Sequence, residues 1–261
     1  MAIFQQTRPK IVVIDATNQG HIAWHGSRGQ CDLSLVLRHR FHLIQTDWQP
    51  VKILAAFDSR ESFRKRLDPT YKANRAPSPD GLQASLAAAA TALGNVGYPV
   101  IGAEGFEAAD AIATACCHAR GQGYRVVIVS TDKDVRQCLV AGEVTIADRV
   151  HVVRGELQPS FVTAGTVVGR YGVKPEQWVD FQCLVGDTSD GIRGADGVGE
   201  KIAGQMLAVA GTLDELLANP WKYASSARVR DSLFEFCKRA PVVKQLVTLR
   251  TDVPLVEECF L

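Results

Sequence analysis

The sequence predicts an α/β fold, a central and mainly parallel sheet flanked by helices, followed by a helical C-terminal region. Short apolar, β-branched runs at 11–14 (IVVI), 53–57 (ILAAF) and 126–129 (VVIV) alternate with helical stretches in the first half. Uninterrupted apolar strands alternating with helices imply a parallel sheet covered on both faces. After about residue 156 the strand signals fade, and helical patterns separated by Gly or Pro take over.

In chain order, the first strand runs into Asp15 (VVID) and the second into Asp58 (LAAFD). Residues 82–93 form an Ala-rich helix and 108–120 another. The third strand leads through VSTDKD to Asp132 and Asp134. Beyond it, residues 177–185, 202–210, 213–217, 229–238 and 242–249 read as helices. The organisation expected is an α/β domain over 1–156 and a helical region over 157–261. Residues 58–80 are too long for a simple strand-to-helix connection, and such excursions are commonly functional or disordered.

Of the 261 residues, 46% are hydrophobic and 22% charged, enough for a sizeable core. A net charge of +1 gives no global argument for nucleic acid, so any such argument must be local. No run approaches a membrane span, and the start MAIFQQTRPK lacks the apolar stretch of a secretory leader, which indicates the cytoplasm and no membrane partner. The seven cysteines (31, 116, 117, 138, 183, 237, 259) form no paired framework and read as reduced, mostly buried thiols. His21 and His25 share i, i+4 spacing but lack the acid of an HExxH zinc motif.

Strand C-termini of a parallel sheet open on one edge, so Asp15, Asp58 and the pair Asp132 and Asp134 are aimed at one place. One Asp after a strand is explained by turns and N-caps; three in a row call for a cation, and an all-oxygen set favours magnesium or manganese. Glu107 and Asp110 share a helix face at i, i+3, where capping and dipole compensation also explain them. Asp187 and Asp190 have the same spacing in GDTSD, where a solvated loop is the plain alternative.

Residues 194–201 (GADGVGEK) fail as a Walker loop, because Glu200 separates Gly199 from Lys201 and Ile202 follows. A Gly-x-Gly turn between two helices remains, with N–H groups of Gly197 and Gly199 free for a phosphate, as in helix–hairpin–helix modules. In the excursion, Arg64, Lys65, Arg66, Lys72 and Arg75 are interleaved with Phe63 and Tyr71. That pattern suits phosphates and stacked bases, although charge runs are more often solvated faces.

Taken in order, VVIDA, FD at 57–58, SFRKRLDPTYKANRAPSP, GFEAADAIA, VSTDKD and GDTSDGIRGADGVGEKIA resemble the 5′-nucleases. These are the phage 5′-exonucleases, bacterial flap endonucleases and the N-terminal nuclease domain of bacterial DNA polymerase I. The resemblance runs from about residue 11 to the C-terminus and implies a PIN-like 5′-nuclease fold. It implies structure-specific 5′-3′ exonuclease or flap endonuclease activity on DNA, by a two-metal-ion mechanism that leaves 5′-phosphate products. Asp15, Asp58, Glu107 and Asp110 would serve mainly one metal, and Asp132, Asp134, Asp187 and Asp190 the second. Lys72 and Arg75 would match the basic arch near 60–80 that meets the scissile phosphate, and Tyr71 would stack on a base. Residues 194–201 would match the helix–hairpin–helix, with Gly197, Gly199 and Lys201 on the duplex and, in some members, a monovalent cation. The partner implied is a 5′ flap, nick or branched duplex, met as a monomer.

Three positions depart from the family pattern: Ala109 replaces an acid, Ala16 a Gly, and Gly191 an Asn. The alternative is therefore a catalytically weakened member that binds branched DNA without efficient cleavage. A haloacid-dehalogenase-like phosphatase would need a second acid at position 17, which is Thr17.

Overall fold

The computed structural model describes residues 8–255. In chain order the elements are β1 (Lys10–Asp15), α1 (Ala16–Gly26), α2 (Leu33–Trp48), β2 (Lys52–Ala56), α3 (Phe63–Leu67), α4 (Leu82–Asn95), β3 (Val100–Ile101), α5 (Ala108–Gly121), β4 (Arg125–Val129), β5 (Val144–Val153) and β6 (Glu156–Val162). They continue as α6 (Ala164–Tyr171), α7 (Trp178–Val185), β7 (Gly186–Asp187), β8 (Ile192–Arg193), α8 (Glu200–Ala210), α9 (Leu213–Ala218), α10 (Pro220–Tyr223), α11 (Ala227–Cys237) and α12 (Ala240–Val247). Two compact units result among the described residues: 8–61, 78–163 and 250–255 form one, and Ser62–Pro77 with Ala164–Leu249 the other.

The first unit is built on a six-stranded sheet ordered β3-β2-β1-β4-β5-β6. All neighbours are parallel except β5 and β6, which form an antiparallel hairpin. β1 is central and buried on both faces, as its unbroken IVVI run requires. Val12 and Ile14 pack with Leu37, Phe41 and Ile44 of α2 and Leu82, Leu86 and Leu93 of α4, while α5 lies along β1, β2 and β4. The strands after β1 step one way to β3 and the other way to β5, so the order reverses beside β1. Such a switch point opens a crevice at the strand C-termini.

The sequence reading placed the end of this unit at 156, whereas β6 extends it to Thr163. β6 is an edge strand, mostly exposed and interrupted by Pro159, so it carries no apolar run. β3 has two residues and escapes a pattern search for the same reason of scale.

In the second unit, Tyr171, Trp178 and Phe181 form an aromatic cluster with centroids 5.0 to 5.4 Å apart. α7 packs against α8 and α12, and a two-stranded antiparallel ribbon, β7 with β8, follows α7. Gly194 lies so close to the Leu184 carbonyl that a Cβ there would sit 2.2 Å from its oxygen.

No helix among the described residues is long and apolar enough to cross a membrane. Of the six cysteines described, all free thiols, only Cys116 and Cys183 are buried and Cys117 and Cys237 are exposed, so burial is less general than the scatter suggested. Cys259 and the first seven residues of the start segment MAIFQQTRPK lie outside the described residues.

Candidate metal centre

In the first unit, three aspartates follow the three parallel strands at the switch point. Asp15 closes β1, is 4% exposed, and caps α1 by accepting the Asn18 N–H at 2.9 Å. Its second oxygen accepts the Ser130 hydroxyl at 2.8 Å. Burial pushes this carboxyl up to about 7, and the negative charge of Asp58 and, less, of Asp132 adds to the rise. The Asn18 N–H and the Ser130 hydroxyl offset only part of it.

Asp58 follows β2. Its N–H donates to Thr17 Oγ1 at 2.9 Å, and its Oδ1 accepts the Ala108 N–H at 2.7 Å, at the first turn of α5. Asp132 is oriented by its N–H on Ser130 Oγ at 3.0 Å, and its Oδ1 accepts the Asp134 N–H at 2.8 Å. Ser130 therefore touches both Asp15 and Asp132. Neither it nor Thr17 and Asn18 stood out in the sequence, where a Ser or Thr beside a strand-terminal Asp was the only signal.

Glu107 and Asp110 open α5 as a capping box. Asp110 is fully buried, with Oδ2 accepting the Glu107 N–H at 3.1 Å and Oδ1 the Arg250 N–H at 2.9 Å. The capping role weighed in the sequence thus accounts for Asp110, whose two oxygens are turned to backbone. Among the described residues no three carboxylate, imidazole or thiol side chains stand close enough to grip one ion as placed. The donor set still fits a hard cation: all-oxygen, buried at Asp15, and mutually repelling without positive charge.

In the second unit, Asp187 and Asp190 are 6% and 4% exposed, so the solvated-loop alternative fails. Asp187 Oδ1 accepts the Ser189 N–H at 2.9 Å and the Ser189 hydroxyl at 2.7 Å. Asp190 accepts the Tyr71 hydroxyl at 3.2 Å, pairs with Lys72 at 3.8 Å and binds the Arg75 guanidinium.

The basic segment differs from its sequence reading at two positions. Arg64 is 2% exposed, and its Nε donates to the Leu246 carbonyl at 2.7 Å and its guanidinium to the Thr248 carbonyl at 3.0 Å. It satisfies acceptors left over at the end of α12 and presents nothing to a phosphate. Tyr71 is also 2% exposed, so its ring offers no face to a base. Lys65, Arg66 and Arg75 are exposed and Lys72 half-buried. Gly197, Gly199 and Lys201 are exposed around the N-terminus of α8, which Gly199 caps without a side chain. His21 and His25 lie with ring centroids 6.1 Å apart.

Residues 10–172 match the family model "5′-3′ exonuclease, N-terminal resolvase-like domain", and residues 173–259 match "5′-3′ exonuclease, C-terminal SAM fold". DNA polymerase I of Mycobacterium tuberculosis (strain ATCC 25618 / H37Rv) is 34% identical over 262 residues, which cover 97% of this chain and 28% of that protein. DNA polymerase I of Rhizobium leguminosarum is 38% identical over 209 residues, 79% of this chain and 20% of that one. The chain thus spans between a fifth and little more than a quarter of the curated relatives it matches. T5 5′-exonuclease with bound zinc superposes with a TM-score of 0.77 at 19% identity, covering 93% of this chain and 90% of that one. The catalytic core of Rad2 in complex with DNA reaches 0.60 at 15% identity, covering 98% and 84%. At such identities these two structures speak for the fold alone.

Proposed function

The chain belongs to the 5′-3′ exonuclease family, and on that premise we propose that it hydrolyses DNA phosphodiesters at a free 5′ end or 5′ flap, leaving a 5′-phosphate. The observation that carries the chemistry is Asp15, a buried carboxyl pushed to about 7 beside Asp58 and Asp132 at the sheet's switch point. A carboxyl so disfavoured as an anion calls for a divalent cation, and clustered perturbed acids mark functional sites.

Asp15, Asp58 and Glu107 are the proposed ligands of one magnesium or manganese ion, and Asp132 and Asp134 of a second. Asp187 is a further proposed ligand, on the family resemblance alone. Asp110 acts behind the first set by fixing the start of α5. When bound, the ions would supply an activated water for attack on phosphorus and charge neutralisation at the leaving oxygen. The chain's own residues orient these acids: Ser130 and Asn18 fix Asp15, Thr17 and the Ala108 N–H fix Asp58.

Lys72 and Arg75 are proposed to place positive charge on the phosphate being cut, with Lys65 and Arg66 adding sequence-independent attraction. The exposed turn at Gly197, Gly199 and Lys201 is proposed as a helix–hairpin–helix that holds the duplex backbone and a monovalent cation. The protein is proposed to act as a monomer in the cytoplasm.

One observation favours a second reading. Ala109, 6% exposed on α5, sits where the family pattern carries an acid, which suits a member that binds branched DNA and cuts it poorly. A labelled 5′-flap substrate incubated with EDTA, magnesium or manganese separates the two. Metal-dependent release of the flap supports the nuclease, and retarded but uncut DNA in every lane supports the binder.

A further inference from the structure

Asp190 makes several contacts with the basic segment. Its carboxylate accepts the buried Tyr71 hydroxyl at 3.2 Å, stands 3.8 Å from Lys72 Nζ and is bonded by the Arg75 guanidinium. Backbone bonds reinforce this: the Lys72 N–H donates to the Asp190 carbonyl at 2.8 Å, and Asn74 Nδ2 to the Thr188 carbonyl at 2.7 Å. Arg75 Nε reaches the Ser189 carbonyl at 3.3 Å. Lys72 itself is left-handed, with φ 56°, a conformation a lysine holds only when its surroundings fix it. Gly191 completes the fit, since a Cβ there would meet the Thr70 carbonyl at 3.0 Å.

Chemistry explains why these groups meet. A carboxylate 4% exposed is costly unless charged partners satisfy it, and Lys72, Arg75 and the Tyr71 hydroxyl do so here. In return their side chains are held in one arrangement. The Arg75 side chain remains 52% exposed, so its guanidinium is anchored to Asp190 while much of its surface faces solvent. Lys72 Nζ also lies over the Tyr71 ring, 4.9 Å from its centroid.

We propose that Asp190 is a positioning residue: its carboxylate latches the turn 70–75 and sets Lys72 and Arg75 as a fixed cation pair before any phosphate arrives. The side-chain entropy of two long cations is then lost during folding and not during binding. This rests on the DNA reading above only for what the pair is for; the latch itself is a property of the free protein.

Limited trypsin digestion of the whole chain in EDTA tests the latch without DNA. Asp190→Asn should speed cleavage after Lys72 and Arg75 by about tenfold, because cutting follows the open population of the turn, and leave cleavage after the already exposed Arg66 unchanged. Tyr71→Phe, which removes one donor and keeps the charges, should speed the same cuts to a smaller extent, and serves if Asp190→Asn does not fold. Unchanged cleavage after Lys72 and Arg75 in both variants overturns the latch. A double-mutant cycle on 5′-flap affinity in EDTA then asks whether Asp190 acts through Arg75. Asp190→Asn and Arg75→Gln should each weaken binding by about threefold to tenfold, and the double variant by clearly less than the product of the two losses. Additive losses overturn the positioning role. Loosened cutting with no flap affinity in any protein, wild type included, keeps the latch and overturns the DNA reading.

Discussion

Asp15→Asn should make the metal-free protein more stable while abolishing cleavage. Below pH 3.8 the Asp15 carboxyl is protonated in both folded and unfolded chains. Between 3.8 and about 7 the unfolded chain releases its proton and the fold retains it, so the stability of the metal-free protein declines across that window and levels off above it. At about 1.4 kcal/mol per pH unit, the ionised carboxylate costs the fold about 4 kcal/mol at pH 8. The amide removes that cost and keeps both bonds, since Asn Oδ1 can accept the Asn18 N–H and its Nδ2 can donate to Ser130 Oγ. Allowing for the desolvation of the amide, a gain of about 3 kcal/mol, or about 10 °C in Tm, is expected in EDTA at pH 8. Thermal unfolding of both proteins at pH 4 and pH 8, beside a flap-cleavage assay with magnesium, measures all of this. No gain at pH 8, a gain equally large at pH 4, or cleavage at the wild-type rate would refute the reasoning.

Ala109→Asp should raise the magnesium-supported cleavage rate by about tenfold, as restored groups near a metal do; an unchanged rate across a metal titration argues against a gap at that position. Arg64→Met should cost about 3 kcal/mol in chemical denaturation, because the buried Leu246 carbonyl and the half-buried Thr248 carbonyl lose their donor. Flap affinity per folded molecule should stay the same, and a selective loss of affinity would return Arg64 to the DNA surface. Gly194→Ala should destabilise by about 3 kcal/mol or more, given the 2.2 Å approach of its Cβ to the Leu184 carbonyl; wild-type stability in urea would mean that this backbone contact yields easily.

The central sheet was legible in the sequence because β1, β2 and β4 are buried on both faces, which leaves uninterrupted apolar runs. β5 and β6 were not, since an edge hairpin exposed along much of its length needs no such run. The strand-terminal aspartates were legible for a related reason: a parallel sheet brings the ends of β1, β2 and β4 to one edge, whatever lies between them in sequence. Charge type, by contrast, does not reveal burial. Arg64 and Arg66 look alike in RKR, yet one closes the end of α12 and the other meets solvent. Tyr71 reads as a stacking surface until its hydroxyl is seen on Asp190. These distinctions depend on partners more than a hundred residues away, which a local pattern cannot carry.

Calorimetric titration of the wild-type protein with manganese at pH 6.5, in two buffers of different ionisation enthalpy, tests most directly whether the buried acids of the first unit hold a divalent ion. With the Asp15 carboxyl near 7, binding must displace its proton, so the apparent heats should differ between buffers by most of one proton, and the difference should shrink at pH 8.5. Asp15→Asn should lose that proton release together with most of the affinity. Heats independent of buffer, and identical in the variant, would contradict the account.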